Sequence, residues 1–211
     1  MKTKPIIVIN LKTYKQGEKV LKLAKIIEKI DKDIILGVQT SDIYEVAKKT
    51  NLKIYSQHVD YEKKGKATGY VLPEAVKKDG AVGSFLNHSE HKLSFDILKK
   101  TIKRCKQTGL KTMVFASSIK EATRTEKLKP SYLIYEPPEL VGGKISVSKE
   151  KPELIKKIKN KMNMKFLVGA GIHTREDVIT ACNLGAAGIA VSSAITKAKN
   201  PGKKLKELIK N

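Results

Sequence analysis

The chain has 211 residues and a formal charge of +22, with 43 lysines and arginines against 21 aspartates and glutamates. This length allows one large hydrophobic core, and no low-complexity linker interrupts it, so we predict a single domain over residues 1–211. No apolar run approaches the roughly 18 residues of a membrane span, and the first strand-like run is too short for a secretory signal. We therefore expect a cytoplasmic protein with no membrane partner.

The excess of positive charge makes nucleic-acid binding one alternative. However, the lysines are spread at helical spacing, only Arg104, Arg124 and Arg175 are arginines, and few aromatics are available to stack on bases. We expect no nucleic-acid partner and a solvated lysine surface, which could still attract an anionic small substrate. Cys105 and Cys182 occupy apolar positions of predicted helices, which indicates packing rather than metal or redox chemistry.

Short apolar runs alternate with amphipathic stretches along the chain, a pattern typical of repeated βα units and a parallel sheet. The apolar spacing of three and four between the first two runs predicts a surface helix, with Val20, Leu23, Ile27 and Ile30 on its buried face. Eight units favour closure into a compact (β/α)8 barrel, whose functional loops would leave the carboxyl ends of the strands. The predicted strands begin near Ile6, Ile34, Lys53, Ala81, Lys111, Tyr132, Lys165 and Ala187.

Polar residues follow the first and fourth predicted strands. Asn10 and Lys12 would share one side of a continuing strand, where Lys12 is available to an anion, although most lysines of this chain are simply solvated. In the segment Asn87-His88-Ser89-Glu90-His91, Ser89 is predicted to cap a short helix. The positive end of that helix would hold His88 neutral, able to donate a hydrogen bond to a carbonyl; the alternative is a structural histidine.

The sixth predicted strand ends at a carboxylate followed by prolines and glycines, Glu136-Pro137-Pro138-Glu139-Leu140-Val141-Gly142-Gly143. The prolines end the strand and stiffen one side of the loop, and the glycines make its tip pliable. This composition predicts a lid that closes over a ligand, with Glu136 as a catalytic base beneath it. The alternative is a strand-ending glutamate before an ordinary surface turn.

Small residues follow the seventh and eighth predicted strands. Gly169-Ala170-Gly171 lets the backbone approach a ligand, and Thr174 is predicted to cap the next helix. Ser192-Ser193-Ala194 is predicted to open the last helix, so the two loops together predict a phosphate site. Among the other histidines, His58 has no metal-spaced partner and is expected to be a structural or subunit contact. His91 and His173 are expected to be helix-start surface residues.

The assembled motifs resemble triosephosphate isomerase in the short form typical of archaea, which implies a TIM barrel. The motifs occur in the same order on strands 1, 4, 6 and 7, and the similarity continues through residues 72–76 and 80–84. They are Asn10-x-Lys12, Asn87-His88-Ser89-Glu90, Tyr135-Glu136-Pro137-Pro138 with its Gly142-Gly143 tip, and Gly169-Ala170-Gly171-Ile172.

The resemblance implies a role for each site residue. Glu136 would move a proton between C1 and C2 of dihydroxyacetone phosphate and glyceraldehyde 3-phosphate, His88 would polarise the carbonyl, and Lys12 would stabilise phosphate and enediolate charge. This enzyme is itself the standard example of a glutamate base paired with a neutral histidine, so these roles are inherited from the family. Asn10 would contact substrate and Glu90 would support the site.

The resemblance also implies that the phosphate rests on the backbone at Val141, Gly171, Ser192 and Ser193. It implies no metal or organic cofactor, a place in glycolysis and gluconeogenesis, and a homotetramer. The chain departs from the family's usual Gly-Thr-Gly lid tip and from its usual Ala-Ser-Gly last loop. The first departure concerns lid kinetics, and the second concerns how closely the backbone nears the phosphate.

Two other functions compete with this one. Another phosphate-binding barrel, such as a lyase or synthase acting on a phosphorylated sugar, would share the last two loops without needing Asn10, Lys12, His88 and Glu136 together. A basic RNA-binding protein would show RNA affinity that survives physiological salt, with no isomerase activity.

Overall fold

The computed structural model describes residues 4–137 and 151–209. Eight parallel strands close into one barrel in which each strand pairs with the next and β8 pairs with β1. The predicted (β/α)8 architecture is therefore confirmed, and every predicted strand start lies within two residues of the observed one. The strands are β1 Ile6–Asn10, β2 Ile35–Val38, β3 Lys53–Ser56, β4 Gly83–Leu86, β5 Lys111–Ala116, β6 Tyr132–Tyr135, β7 Phe166–Val168 and β8 Gly188–Val191.

Helices on the outside of the barrel connect the strands. The described helices are α1 Glu18–Ile30, α2 Ile43–Lys49 with a preceding 3₁₀ turn Thr40–Asp42, α3 Pro73–Lys78, α4 Phe95–Thr108, α5 Ile119–Glu126, α6 Pro152–Lys161, α7 Arg175–Asn183, α8 Ser193–Thr196 and α9 Pro201–Ile209. The predicted face of α1 is confirmed, because Val20, Leu23 and Ile27 are buried while Ile30 packs partly against the core. Of the helices in the described ranges, none is long and apolar enough to cross a bilayer.

The core has two layers, because successive residues of a strand point to opposite faces of the sheet. The larger layer lies between strands and helices and includes Cys105 on α4, with Cys182 packed partly against it; these two described cysteines form no disulfide. The inner layer fills the barrel with one residue or more from each strand: Val8, Ile35, Tyr55, Phe85, Met113, Phe115, Ile134, Leu167 and Ala190.

Aromatic rings form a continuous stack inside the barrel. The ring centroids of Tyr55 and Phe85 are 5.8 Å apart, and those of Phe85 and Phe115 are 5.6 Å apart. Gly37 makes room for this stack, since a Cβ there would lie 2.0 Å from the Phe85 ring. The stack fills the interior up to the carboxyl ends of the strands, where the candidate site begins.

Candidate active site

A cleft opens at the carboxyl ends of the strands. Seven residues predicted from the sequence line it together: Asn10, Lys12, His88, Glu136, Gly171, Ser192 and Ser193. They come from five different strand ends of a closed barrel, which explains how residues up to 183 positions apart in the chain converge. Val141, the remaining predicted phosphate contact, and the lid tip Gly142-Gly143 lie outside the described residues.

Glu136 directly follows β6, where its backbone N–H donates to the Ala116 carbonyl over 2.9 Å. Its side chain is 13% exposed. Within residues 4–137 and 151–209, no donor forms a hydrogen bond with the buried Oε2 atom. Burial raises the pKa of Glu136 from 4.5 to about 8, although the nearby Lys12 opposes the shift. A carboxyl group without donors in a poorly solvated place is a strong base once it is ionised.

Gly169 gives the carboxylate of Glu136 its space. A Cβ at residue 169 would lie 3.1 Å from Glu136 Oε1 and 3.0 Å from Ile134 Cγ2. The sequence interpretation assigned this glycine to the approach of a ligand. In the structure, Gly169 also lets the side chain of Glu136 lie close to the backbone of residue 169. The sequence could not show this contact, because it depends on the packing of β6 beside β7.

His88 follows β4 and is held in one tautomer. The backbone N–H of Glu90 donates to His88 Nδ1 over 3.1 Å, so Nδ1 is the acceptor and the proton of the neutral ring lies on Nε2. Burial lowers the pKa of His88 from 6.5 to about 4; Lys12 and Lys92 add to this effect, and Glu90 opposes it. Nε2 lies 3.4 Å from Glu136 Oε2.

The predicted helix cap at Ser89 is wrong. Residues 88–91 form a turn in which the His91 N–H donates to the His88 carbonyl over 2.9 Å, and α4 begins at Phe95 with Ser94 as its N-cap. A tight turn satisfies these backbone groups locally, so no helix starts there. The neutrality of His88 therefore comes from burial and nearby cations, and the expected helix dipole makes no contribution.

Lys12 reaches the cleft by a route other than the predicted one. The strand ends at Asn10, and Lys12 takes a positive φ of 47°, so the two residues do not continue one strand. Asn10 Oδ1 accepts the Lys12 N–H over 2.9 Å and stabilises this left-handed turn. Lys12 Nζ then forms an ion pair with Glu90 Oε1 at 2.6 Å, which links the β1 and β4 loops.

Gln57, which the sequence interpretation left out, supports this turn from the end of β3. Its Nε2 donates to the Lys12 carbonyl over 2.8 Å and lies 3.4 Å from Asn10 Oδ1. Its position directly after β3 was the available signal, since His88 and Glu136 also follow the ends of their strands. Phe115 was also missed: its ring meets the His88 ring edge-on at 4.6 Å and excludes water from one face of the imidazole.

The β7 and β8 loops, which lie between β6 and β1 around the barrel, build a further side of the cleft. Gly171 adopts φ 61°, and Thr174 caps α7 through a capping box with Asp177, as predicted. Ser192 is the N-cap of α8, and its buried Oγ has no hydrogen-bond partner within the described ranges. The expectation that Ser192 and Ser193 open the last helix is wrong: α8 is one short turn, because the chain turns again before α9 begins at Pro201.

The other histidines lie at the edge of this site or beyond it. His58 stacks on His91 with ring centroids 4.3 Å apart, and its Nε2 lies 3.1 Å from Asp60 Oδ1. His173 precedes the helix cap Thr174, as expected, and also lines the cleft. Across residues 4–137 and 151–209, no three histidine, cysteine or acidic side chains cluster as a metal site.

A strong base, a neutral proton donor and a cation face one cleft at the mouth of a closed parallel barrel. This combination is typical of a barrel enzyme that moves protons on an anionic substrate. The family model of triosephosphate isomerase matches residues 5–211. The chain belongs to the triosephosphate isomerase family, as its motifs indicated.

Curated relatives match along nearly their whole length. The triosephosphate isomerase of Sulfurisphaera tokodaii is 42% identical over 98% of this chain and 95% of the relative. That of Saccharolobus solfataricus is 42% identical over 97% and 95%, and that of Methanocaldococcus jannaschii is 40% identical over 97% and 99%. The archaeal resemblance inferred from the motifs is thus confirmed.

A solved structure supports the fold independently. The crystal structure of triosephosphate isomerase from Bartonella henselae superposes with a TM-score of 0.76 over 96% of this chain and 98% of that chain. At 16% identity, this likeness concerns the fold alone.

Proposed function

We propose that the chain interconverts dihydroxyacetone phosphate and D-glyceraldehyde 3-phosphate through an enediolate, as a step of glycolysis and gluconeogenesis. The observation that carries the proposal is the close placement of Glu136 Oε2 and His88 Nε2, which lie 3.4 Å apart and whose side chains line one cleft. Burial raises the pKa of the carboxyl group and lowers that of the imidazole, so one group is suited to take a proton and the other to donate a hydrogen bond while neutral.

In the proposed mechanism, Glu136 removes a proton from the carbon next to the substrate carbonyl. His88 Nε2–H donates to the carbonyl oxygen, on which negative charge develops, and Lys12 stabilises that charge and the charge of the phosphate. Glu136 then returns the proton to the neighbouring carbon, while the hydroxyl proton on the first carbon's oxygen moves to the former carbonyl oxygen, so that the carbonyl and hydroxyl groups exchange places. The substrate carbonyl already acidifies this proton, so we propose that no metal or organic cofactor takes part.

Supporting residues have distinct proposed roles. Asn10 contacts substrate and fixes the Lys12 turn, while Glu90 holds Lys12 Nζ and donates its N–H to His88. These contacts align the cation and the imidazole before substrate arrives, which lowers the entropic cost of the reaction.

The substrate phosphate is proposed to bind at the β7 and β8 loops, on Gly171, Ser192 and Ser193. The positive φ of Gly171 exposes its backbone, and the buried hydroxyl of Ser192 offers a donor without a partner in the described ranges. Val141 is proposed to complete this site when the lid closes, which rests on the sequence alone.

We also propose a cytoplasmic protein with one barrel domain over residues 1–211 that assembles into a homotetramer. With a charge of +22, repulsion between subunits should loosen the assembly at low salt. Light scattering over a range of salt concentrations tests this assembly, and a monomer at every concentration would refute it.

The proposed activity is tested by a coupled assay of glyceraldehyde 3-phosphate isomerisation. The wild-type chain should be active, and Glu136→Gln should lose about 10²-fold to 10⁴-fold or more in kcat, because the base is removed while its shape is kept. Glu45→Gln is the matched control, since Glu45 pairs with Lys49 on the outer helix α2. An inactive wild-type chain would refute the function.

A further inference from the structure

A polar cluster next to His88 in the chain connects the loops after β4 and β5, and none of its members lines the cleft. We call it the Glu121 cluster; its members are Asn87, Lys92, Ser117 and Glu121. Glu121 Oε2 accepts the backbone N–H and the hydroxyl of Ser117, each over 2.7 Å. Its Oε1 accepts Asn87 Nδ2 over 2.7 Å and Lys92 Nζ over 2.9 Å. One carboxylate on α5 therefore joins the loop after β4 to the loop after β5.

Asn87 is the member of the cluster next to His88, and it is held in an unusual conformation. It is buried and adopts φ 60°, a left-handed geometry that asparagine tolerates better than most residues. Its Nδ2 also donates to the Phe115 carbonyl over 2.9 Å, and its Oδ1 accepts the Leu93 N–H over 3.0 Å. Carbonyl and carboxylate oxygens can only accept here and the N–H can only donate, so one orientation of the amide satisfies all three bonds.

The charge of Glu121 is needed for this arrangement. Burial alone would raise the pKa of Glu121, but the donors from Ser117, Lys92 and Asn87 outweigh it and hold the pKa below 4.5. Glutamine in its place would put an NH₂ group against at least one of these donors. Because a half-buried donor that loses its acceptor is costly, the loop could no longer keep all its bonds.

The cluster fixes His88 from two sides. Asn87 sets the direction in which the chain enters residue 88, and Phe115, whose carbonyl accepts from Asn87, places its ring edge-on against the imidazole at 4.6 Å. We propose that Glu121 is a positioning residue, which holds the β4–α4 loop in the conformation that aims His88 Nε2 at the substrate. The inference rests on the proposed isomerase function, although Glu121 itself touches no substrate.

The first test compares Glu121→Gln with Glu126→Gln. Glu126 is a matched control, since it lies on the same helix and also accepts two backbone N–H groups. Its donors are Asn163 and Met164, which are far from His88 in the chain. Glu121→Gln should lower kcat about tenfold or more, because small misplacements of a catalytic group are costly. Its KM should stay within about threefold, since the phosphate side of the cleft is untouched. A lower melting temperature with unchanged kcat would overturn the proposal.

A second variant keeps the test decisive if Glu121→Gln folds poorly. Asn87→Gly tolerates the positive φ but removes the amide that links Glu121 to the loop. Asn87→Gly should lower kcat to a similar extent. The double variant should have a kcat no lower than that of the poorer single variant, because each substitution removes the bond between Asn87 and Glu121. Losses that multiply in the double variant would contradict a shared mechanism.

Nitrogen NMR of His88 separates this inference from the proposed function, because it needs no turnover. In the wild-type chain at neutral pH, we expect one neutral tautomer with the proton on Nε2. Glu121→Gln should shift the His88 nitrogen signals toward a mixture of tautomers, whereas Glu126→Gln should not. Identical spectra for all three proteins would overturn the positioning role, while an inactive wild-type chain would refute the isomerase function alone.

Discussion

His88 Nε2 and Glu136 Oε2 lie 3.4 Å apart, and the same burial moves their pKa values in opposite directions. A buried imidazole loses its proton more easily, and a buried carboxyl group holds its proton more tightly, because both shifts avoid charge in a poorly solvated place. The pair thus consists of a neutral donor and a strong base, held by the ends of β4 and β6.

The raised pKa of Glu136 predicts a specific dependence of stability on pH. The folded state binds this proton more tightly than the unfolded state, so its contribution to stability is complete below pH 4.5 and is lost as the pH rises to about 8. Each pKa unit corresponds to about 1.4 kcal/mol. Glu136→Gln, which has no proton to lose, should therefore gain stability relative to wild type across this window.

Chemical denaturation at pH 5, 7 and 9 measures this difference. His88 acts in the other sense, since its lowered pKa contributes stability above pH 6.5 that is lost toward pH 4, but it is present in both proteins. If the difference in the free energy of unfolding between wild type and Glu136→Gln did not change with pH, this would show that Glu136 is not desolvated.

Lys12→Met should damage substrate affinity and turnover together, because one cation is proposed to serve both the phosphate and the developing enediolate. Loss of such an electrostatic contact costs about 10²-fold to 10³-fold in kcat. Lys25→Met on the exposed face of α1 is the control and should behave like wild type in steady-state kinetics. Equal behaviour of the two variants would remove Lys12 from the site.

Gly169→Ala should reduce kcat, since its methyl group would lie 3.1 Å from Glu136 Oε1 and would displace the base. Gly202→Ala is a matched control on the outer helix α9, where the nearest contact of the added Cβ is 3.1 Å away, against 3.0 Å at residue 169. We expect a loss of about tenfold or more at residue 169 and none at residue 202, measured as kcat per folded enzyme. Equal kcat values for Gly169→Ala and Gly202→Ala would mean that the Glu136 side chain can move away from the added methyl group without loss of activity.

The proposed lid gives a prediction on product partitioning. Closure would exclude water and keep the enediolate from expelling its phosphate as methylglyoxal is formed. Deleting residues 140–144 should therefore lower isomerisation and raise methylglyoxal per turnover, whereas Lys144→Gly, which restores the last glycine of the family's usual Gly-Thr-Gly tip, should change little. Unchanged partitioning after the deletion would mean that this segment is not a lid.

The order of elements and the main site residues could be predicted because both follow local rules. Strands show as short apolar runs, and polar residues that follow a run lie at the mouth of the barrel, as His88 and Glu136 do. The turn at Ser89 could not be predicted, because the same residues can cap a helix or close a turn. Gln57 and Glu121 were missed because their roles depend on partners that the fold brings from other strands.

Solvent proton exchange tests most directly whether Glu136 is the base. With dihydroxyacetone phosphate in deuterated water, the wild-type enzyme should place deuterium on C1 as its substrate returns from the enediolate, which NMR detects. Glu136→Gln should still bind the substrate but should show exchange lower by about 10²-fold or more. Exchange at the wild-type rate in Glu136→Gln would contradict the account.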